Sequence, residues 1–401
     1  MEQIIKMTST SILENRIHRL RDLIKHNNFD AIIMLSDENR RYLSGFTGED
    51  GSYDETAGML IITDTQLILA TDSRYRQQAQ NEANLYSIYC YEKMLAVELP
   101  ELLQSTLEIG NNSKFNTSSQ SKQYTAPGRY RVAVETSRIT FDLYSKIKKN
   151  IDEKELNIDL LAAEEFLKNL RIIKDREEID AIKLSLKTAE NAFLQLKEYI
   201  HSDMTEKDAA WLLESLIREN GADSLSFPVI AASGPNSALP HAIPCEKKFK
   251  HHEPLLFDFG AKLNGYCSDI SRTLVIGKPE SLFKEAYQTL LNAQNMAIEA
   301  IRPGIKCSDI DRIAREYIDN SKFNGRFGHA LGHGVGIAIH EPPRLSRFDD
   351  SQLQAGMVIT VEPGIYITEW GGIRLENMVE VTESGAKVLN SIGYDDYIIP
   401  A

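Results

Sequence analysis

The sequence predicts a mixed α/β (α+β) chain of two domains, and three observations carry that prediction. Short apolar runs alternate with amphipathic helical patterns through the first third. A charged stretch at about 145–175 then divides the chain. Beyond it, a helix–helix–strand order recurs at an offset of 101 residues. With 401 residues there is enough chain for two separate cores.

The first helix is read over Leu13, Ile17, Leu20 and Ile24, with Ser11 and Glu14 as a capping box at its start. AIIML (31–35), MLIIT (59–63) and LILAT (67–71) are apolar runs of buried-strand type, and the last passes into a helix through TDSRYRQQA. Segment 110–128, GNNSKFNTSSQSKQYTAPG, has the composition of a surface loop. The stretch 145–175 is charged and helical in character, and the boundary is placed inside it, giving domains 1–165 and 166–401. A helix then starts near Asp175, with Glu178 three residues on and a stripe of Ile179, Ile182, Leu186, Ala189 and Phe193. Another spans about 205–220 and stops at Gly221. IHSDMTEKDAAWLLESLIREN (200–220) aligns with IRPGIKCSDIDRIAREYIDN (301–320), so the second domain is read as two related halves around one site.

A net charge of −13 argues against a nucleic-acid partner or an anionic membrane surface, both of which favour basic patches. Cys90, Cys245, Cys267 and Cys307 lack CxxC spacing, which disfavours a thiolate zinc site or a disulfide framework. No apolar stretch resembles a signal peptide or a membrane span, and a cytoplasmic location is the default expectation.

Four acids in apolar, strand-like runs pose an electrostatic problem: Asp258, Asp269, Glu362 and Glu376. An unpaired buried carboxylate is costly, so several of them together imply cations. Asn264-Gly265 is a two-residue hairpin signal that sets Asp258 opposite Ser271. Asp258 and Asp269 then share a face, on the order of 7 Å apart at the backbone, which suits a metal pair about 3.5–4 Å apart. Glu362 and Glu376 are expected to repeat this across a turn containing Pro363-Gly364 and Gly371-Gly372. His333 lies in GHALGHGVGIAIH with His329 and His340, where the glycines form neither a Walker loop nor GxGxxG. One imidazole with four carboxylates favours two divalent ions, with Mn(II) placed first and Co(II), Fe(II) or Zn(II) as alternatives. Such ions activate water at neutral pH, so the reaction class is metal-assisted hydrolysis of an amide or ester.

DFG…GYCSDISRT, GHGVGIAIHE, TVEPGIY and GIRLEN, in this order, resemble the pita-bread metallopeptidases, in their Xaa-Pro aminopeptidase and Xaa-Pro dipeptidase (prolidase) branch. RYLSGFTG (41–48) and TDSRYRQQA (71–79) resemble the creatinase-type N-terminal domain of the same enzymes. The resemblance implies a creatinase-like α/β domain followed by a pita-bread catalytic domain with pseudo-two-fold halves. It implies that Asp258 holds one metal, that His333 and Glu362 hold the other, and that Asp269 and Glu376 bridge. Glu362 is implied as proton shuttle, and His241 and His340 as groups that hold substrate and stabilise the tetrahedral intermediate. Arg374 is implied to fix the bridging carboxylate or its neighbour, and His329 to line the wall. Ser271 stands where Thr is common, and the larger three-domain relatives carry a C-terminal extension not expected here.

The leading expectation is an Xaa-Pro aminopeptidase acting on proline-containing peptides, with a prolidase close behind and a homodimer implied. Methionine aminopeptidase chemistry is disfavoured by the N-terminal domain. A metal-free creatinase-like hydrolase or a pita-bread binding protein is disfavoured because all five ligand positions are filled.

Overall fold

A computed structural model describes residues 9–51, 55–107, 129–163, 167 and 169–401. The chain forms two compact units, Met1–Leu170 and Arg171–Ala401. The boundary expected near 165 and the polar segment 110–128 lie outside the described residues.

The first unit is built on a six-stranded mixed sheet. Its strands are β1 (Ala31–Met34), β2 (Met59–Thr63), β3 (Leu67–Thr71), β4 (Ser87–Cys90), β5 (Tyr130–Val134) and β6 (Ile158–Ala162), in the order β4-β3-β2-β1-β5-β6. The helices are α1 (Thr10–His26), α2 (Asp37–Ser44), α3 (Arg76–Glu82), α4 (Leu95–Thr106) and α5 (Phe141–Glu153). Every residue of β1 and β2 is buried, which explains their unbroken apolar runs. α1 buries Leu13, Ile17, Leu20 and Ile24, as their spacing requires.

Two expectations need correction here. α1 begins at Thr10 with no side-chain cap, so Ser11 and Glu14 lie inside the helix, and the Ser11 hydroxyl pairs with that of Ser9. The helical reading of 145–175 fails after Glu153, because the chain returns as β6, parallel to β5 from Tyr130↔Ile158 to Val134↔Ala162. IDLLA has no strong local strand preference; the free sheet edge beside it decides its conformation.

The second unit opens on α6 (Arg176–Lys197), held at its start by reciprocal Asp175–Glu178 bonds and buried along the predicted stripe. α7 (Glu206–Glu219) follows with Thr205 as N-cap, and the chain leaves it through Gly221 at φ 103°. This half is completed by β7 (Ser224–Leu225), β8 (Ile230–Ser233), β9 (Pro254–Phe259), β10 (Ala261–Leu263), β11 (Tyr266–Cys267) and β12 (Ile270–Ile276). The other half contains α8 (Ser281–Ala300), α9 (Cys307–Asp319), β13 (Gly332–Gly334), β14 (Glu341–Leu345), β15 (Val358–Val361), β16 (Gly364–Ile367), β17 (Gly371–Arg374), β18 (Asn377–Thr382) and β19 (Gly385–Val388). A last strand, β20 (Ile398–Ile399), pairs with β12.

The repeat is visible in the backbone bonding. Glu206 donates to the Lys247 carbonyl in one half, and Cys307 donates to that of Ser351 in the other. Phe249 donates to Met204 just as Leu353 donates to Ile305. Among the described residues no helix is long and apolar enough to cross a membrane.

Candidate active site

Strand register places the acids. β9 and β12 pair antiparallel with Asp258 opposite Ser271, the alignment read from Asn264-Gly265, both of which have positive φ. Between these strands and the hairpin tip the ladder breaks at Gly260, where a Cβ would lie 1.9 Å from the Ser268 carbonyl oxygen. Asp269 follows directly and is buried.

Glu362 and Glu376 belong to a second long hairpin. Val361 faces Asn377 in β15/β18 and Gly364 faces Arg374 in β16/β17, so one register runs through both and the two glutamates lie opposite each other. Its turn is formed by residues 368–370, with Glu369 at φ 72°. This corrects the expectation that Pro363-Gly364 and Gly371-Gly372 make the turn. Those glycines sit in strands under close contact; a Cβ on Gly372 would lie 2.1 Å from the Ser237 carbonyl oxygen.

The acids converge. One oxygen each from Asp258, Asp269 and Glu376 lies within 4.8 Å of the others. His333 joins them from β13, its Nε2 3.5 Å from Asp269 Oδ2 and 3.4 Å from Glu362 Oε1. Its Nδ1 donates to the Gly334 carbonyl at 3.0 Å, which leaves the Nε2 lone pair facing the carboxylates. Thr360 joins two members of the group, its hydroxyl accepting from the His333 N–H at 3.0 Å and donating to Glu362 Oε1 at 3.1 Å.

Burial pushes the Asp269 and Glu376 carboxyls well above the usual range, and the neighbouring acids push in the same direction. Glu362 is raised to about 7, chiefly by burial. Desolvation lowers His333 to about 4, so its imidazole is neutral at pH 7. Asp258 Oδ1 and Glu376 Oε1 are buried without a hydrogen-bond partner. Orphaned carboxylate oxygens beside a neutral imidazole make a donor set that fits hard or borderline divalent cations.

Around the acids, Arg374 donates to Asp258 Oδ2 at 2.5 Å, to the Ser271 hydroxyl at 2.8 Å and to the Tyr366 hydroxyl at 2.8 Å. The carboxylate it bonds is Asp258 rather than the expected bridging Glu376. Burial opposes the Arg374 charge, but Tyr366, Asp258 and Glu362 outweigh that and hold it protonated. His329 Nε2 lies 2.9 Å from the Tyr366 hydroxyl, and burial lowers its pKa to about 4. His340 is exposed, with its ring 4.4 Å from that of His333. His241 is exposed on the loop after β8, near enough that its charge depresses the pKa of both His329 and His340.

Four residues were missed from sequence. Thr360 and Tyr366 flank Glu362 within TVEPGIY, where a polar and an aromatic residue inside an apolar run were the available signal. Ser271 acts through its hydroxyl, which accepts from Arg374, and its carbonyl, which accepts from the Glu376 N–H. Arg344 is the register partner of His333, and its positive charge acts on His333, His340 and Glu362. A lone cation directly after a strand-bound Pro-Pro carried no signal by itself.

The acidic cluster and the repeated halves define a metallopeptidase. Residues 180–383 match metallopeptidase family M24, a dinuclear metal-dependent family, and the chain belongs to it. Residues 16–173 match the creatinase/prolidase N-terminal domain. The Xaa-Pro dipeptidase of Pyrococcus furiosus is 33% identical over 377 residues, covering 94% of this chain and 98% of that one. The solved Xaa-Pro dipeptidase from Bacillus anthracis superposes with a TM-score of 0.85 at 32% identity, over 96% of this chain and 99% of the other. The X-Pro aminopeptidase from Thermotoga maritima gives 0.80 at 31% identity, over 96% and 100%.

Proposed function

We propose that the chain is an exopeptidase that cleaves Xaa-Pro bonds at a peptide N-terminus, with Xaa-Pro dipeptides preferred. Arg344 carries the dipeptide part of this reading. Among the described residues its guanidinium has no ion-pair partner, yet its charge is felt by His333, His340 and Glu362. A cation beside the reacting groups suits the free carboxylate of a C-terminal proline, which a longer peptide lacks at that position. The aminopeptidase placed first on sequence grounds becomes the second reading, supported by the likeness to the Thermotoga maritima enzyme.

In this proposal Asp258 would hold one divalent ion, His333 and Glu362 the other, and Asp269 and Glu376 both, with Mn(II) as the native metal. Bound there, the ions supply Lewis acidity and lower the pKa of water. Glu362 takes a proton from the attacking water as the oxygen–carbon bond forms, and returns it to the proline nitrogen as the carbon–nitrogen bond breaks. His241 and His340 donate hydrogen bonds to the substrate carbonyl, and Arg374 keeps Asp258 oriented. His329 lines the wall through Tyr366. A cytoplasmic homodimer completes the reading.

Metal analysis of active protein should find close to two transition-metal ions per chain. On Xaa-Pro dipeptides, Arg344→Met should lower kcat/KM about 10- to 100-fold, as expected for losing a hydrogen bond to a charged group, and leave Xaa-Pro-Xaa tripeptides nearly unaffected. Wild-type turnover of tripeptides equal to that of dipeptides would restore the aminopeptidase reading. Negligible turnover of both would discard the proline assignment.

A further inference from the structure

Glu206 is a buried carboxylate that the proposed chemistry does not use. It lies in the first turn of α7, 1% exposed, and among the described residues no basic side chain pairs with it. Neutral donors from the two ends of one loop satisfy it instead. Its Oε1 accepts from the Ser233 N–H at 2.8 Å, the Ser233 hydroxyl at 2.9 Å and Asn236 Nδ2 at 3.1 Å. Its Oε2 accepts from Asn236 Nδ2 at 3.1 Å, the Cys245 N–H at 3.3 Å and the Cys245 thiol at 3.1 Å. Lys247 reinforces the base of the loop by donating to the Ser233 hydroxyl at 2.6 Å and to Glu253 at 2.8 Å.

The clamped loop carries His241. Between the clamp points it is tied to the site by the Gly372 N–H on the Ser237 hydroxyl at 2.8 Å and by Arg374 on the Pro240 carbonyl at 3.2 Å. Leu239 and Ile243, on either side of His241, are 60% and 87% exposed, while Ala242 beside it is buried in a small cluster with Ile230, Ala232 and Leu256. The position of His241 therefore depends on these ties together with how the ends of the loop are fastened. A carboxylate suits this task because it offers about four lone-pair sites and no donor of its own.

We infer that Glu206 is a positioning residue, which fixes the loop so that His241 reaches the substrate carbonyl. The inference rests on the substrate-holding role proposed for His241. It assigns Glu206 no contact with substrate or metal. Glu206→Gln would turn an N–H₂ toward the donors of Ser233, Asn236 or Cys245 and release at least one end of the loop.

A double-mutant cycle tests it on the metal-loaded full chain with an Xaa-Pro dipeptide. His241→Ala and Glu206→Gln should each lower kcat/KM, Glu206→Gln by about tenfold or more, with two metal ions per chain retained. The double variant should fall within about twofold of His241→Ala alone, because a group that acts through His241 has nothing left to position. Losses that multiply in the double variant would overturn the inference while leaving His241 its role, and so would a fully active Glu206→Gln. Wild-type kcat/KM in His241→Ala would instead remove the role of His241, and the inference with it. Should Glu206→Gln fail to fold, Asn236→Ala, which removes one partner of the clamp and no charge, takes its place in the same cycle.

Discussion

Glu341, directly after His340, offers a sharp test of how a rim of the site is held. Its Oε2 lies 2.9 Å from Lys174 Nζ, and its Oε1 lies 3.0 Å from Arg171 Nε and 3.1 Å from the Ala338 N–H. The Lys174 and Glu341 side chains are 1% and 2% exposed, so neither charge has water to fall back on. Burial alone would raise the Glu341 carboxyl, but Lys174 and Arg171 hold it down at about 2. Glu341→Gln leaves the Lys174 ammonium buried without its counter-charge, and breaking such a pair costs about 3–5 kcal/mol. Linkage points to a similar size: from 4.5 down to about 2, at 1.36 kcal/mol per unit, is roughly 3 kcal/mol. Because the folded-state pKa is depressed, that contribution is present above about pH 4.5 and is lost as pH falls toward 2. Urea unfolding at pH 7 should therefore show a loss of about 3–5 kcal/mol in Glu341→Gln, with part of it recovered in Glu341→Gln/Lys174→Met. The acid limb of the stability profile should also flatten in both variants. A loss below about 1 kcal/mol, or a double variant less stable than the single one, would refute the buried-pair reasoning.

Two further outcomes follow from the acidic cluster and its scaffold. In chelated protein Glu362 has its pKa raised from 4.5 to about 7, so the stability present below pH 4.5 is lost as pH rises through 7, roughly 3 kcal/mol for this residue, and Asp269 and Glu376 act in the same direction. Thermal unfolding should then show chelation costing more at pH 8 than at pH 5, with Mn(II) restoring the difference; equal losses at both pH values would contradict it. Gly332→Ala would set a methyl 2.0 Å from the Thr360 carbonyl oxygen, and shifting that strand should cost about 1–3 kcal/mol and weaken metal binding by calorimetry. Unchanged stability and affinity would show that β13 can move freely.

Some of this protein is readable along the chain because the physics involved is local. MLIIT and LILAT coincide with β2 and β3, since strands buried on both faces need unbroken apolar runs. The stripe from Ile179 to Phe193 marks the buried face of α6, since helical spacing alone selects it. Asn264-Gly265 determines the alignment of Asp258 with Ser271, because a two-residue turn permits a single register. The gathering of four acids in apolar runs is also legible, because burying unpaired charge is so unfavourable that cations are the ready remedy.

Other features are decided only when distant segments meet. β6 is a strand because the edge of β5 is free to pair, whatever IDLLA prefers alone. The second hairpin turns at residues 368–370 because its glycines are needed where Ser237 presses against β17. Arg374 reaches Asp258 rather than Glu376, two residues along the chain, because β17 lies beside β9. Glu206 clasps both ends of a loop that starts 27 residues after it. Periodicity and turn chemistry thus determined the elements and the acids they carry. Which charge meets which, and what holds each histidine in place, came from tertiary packing, because those partners are neighbours only in the folded chain.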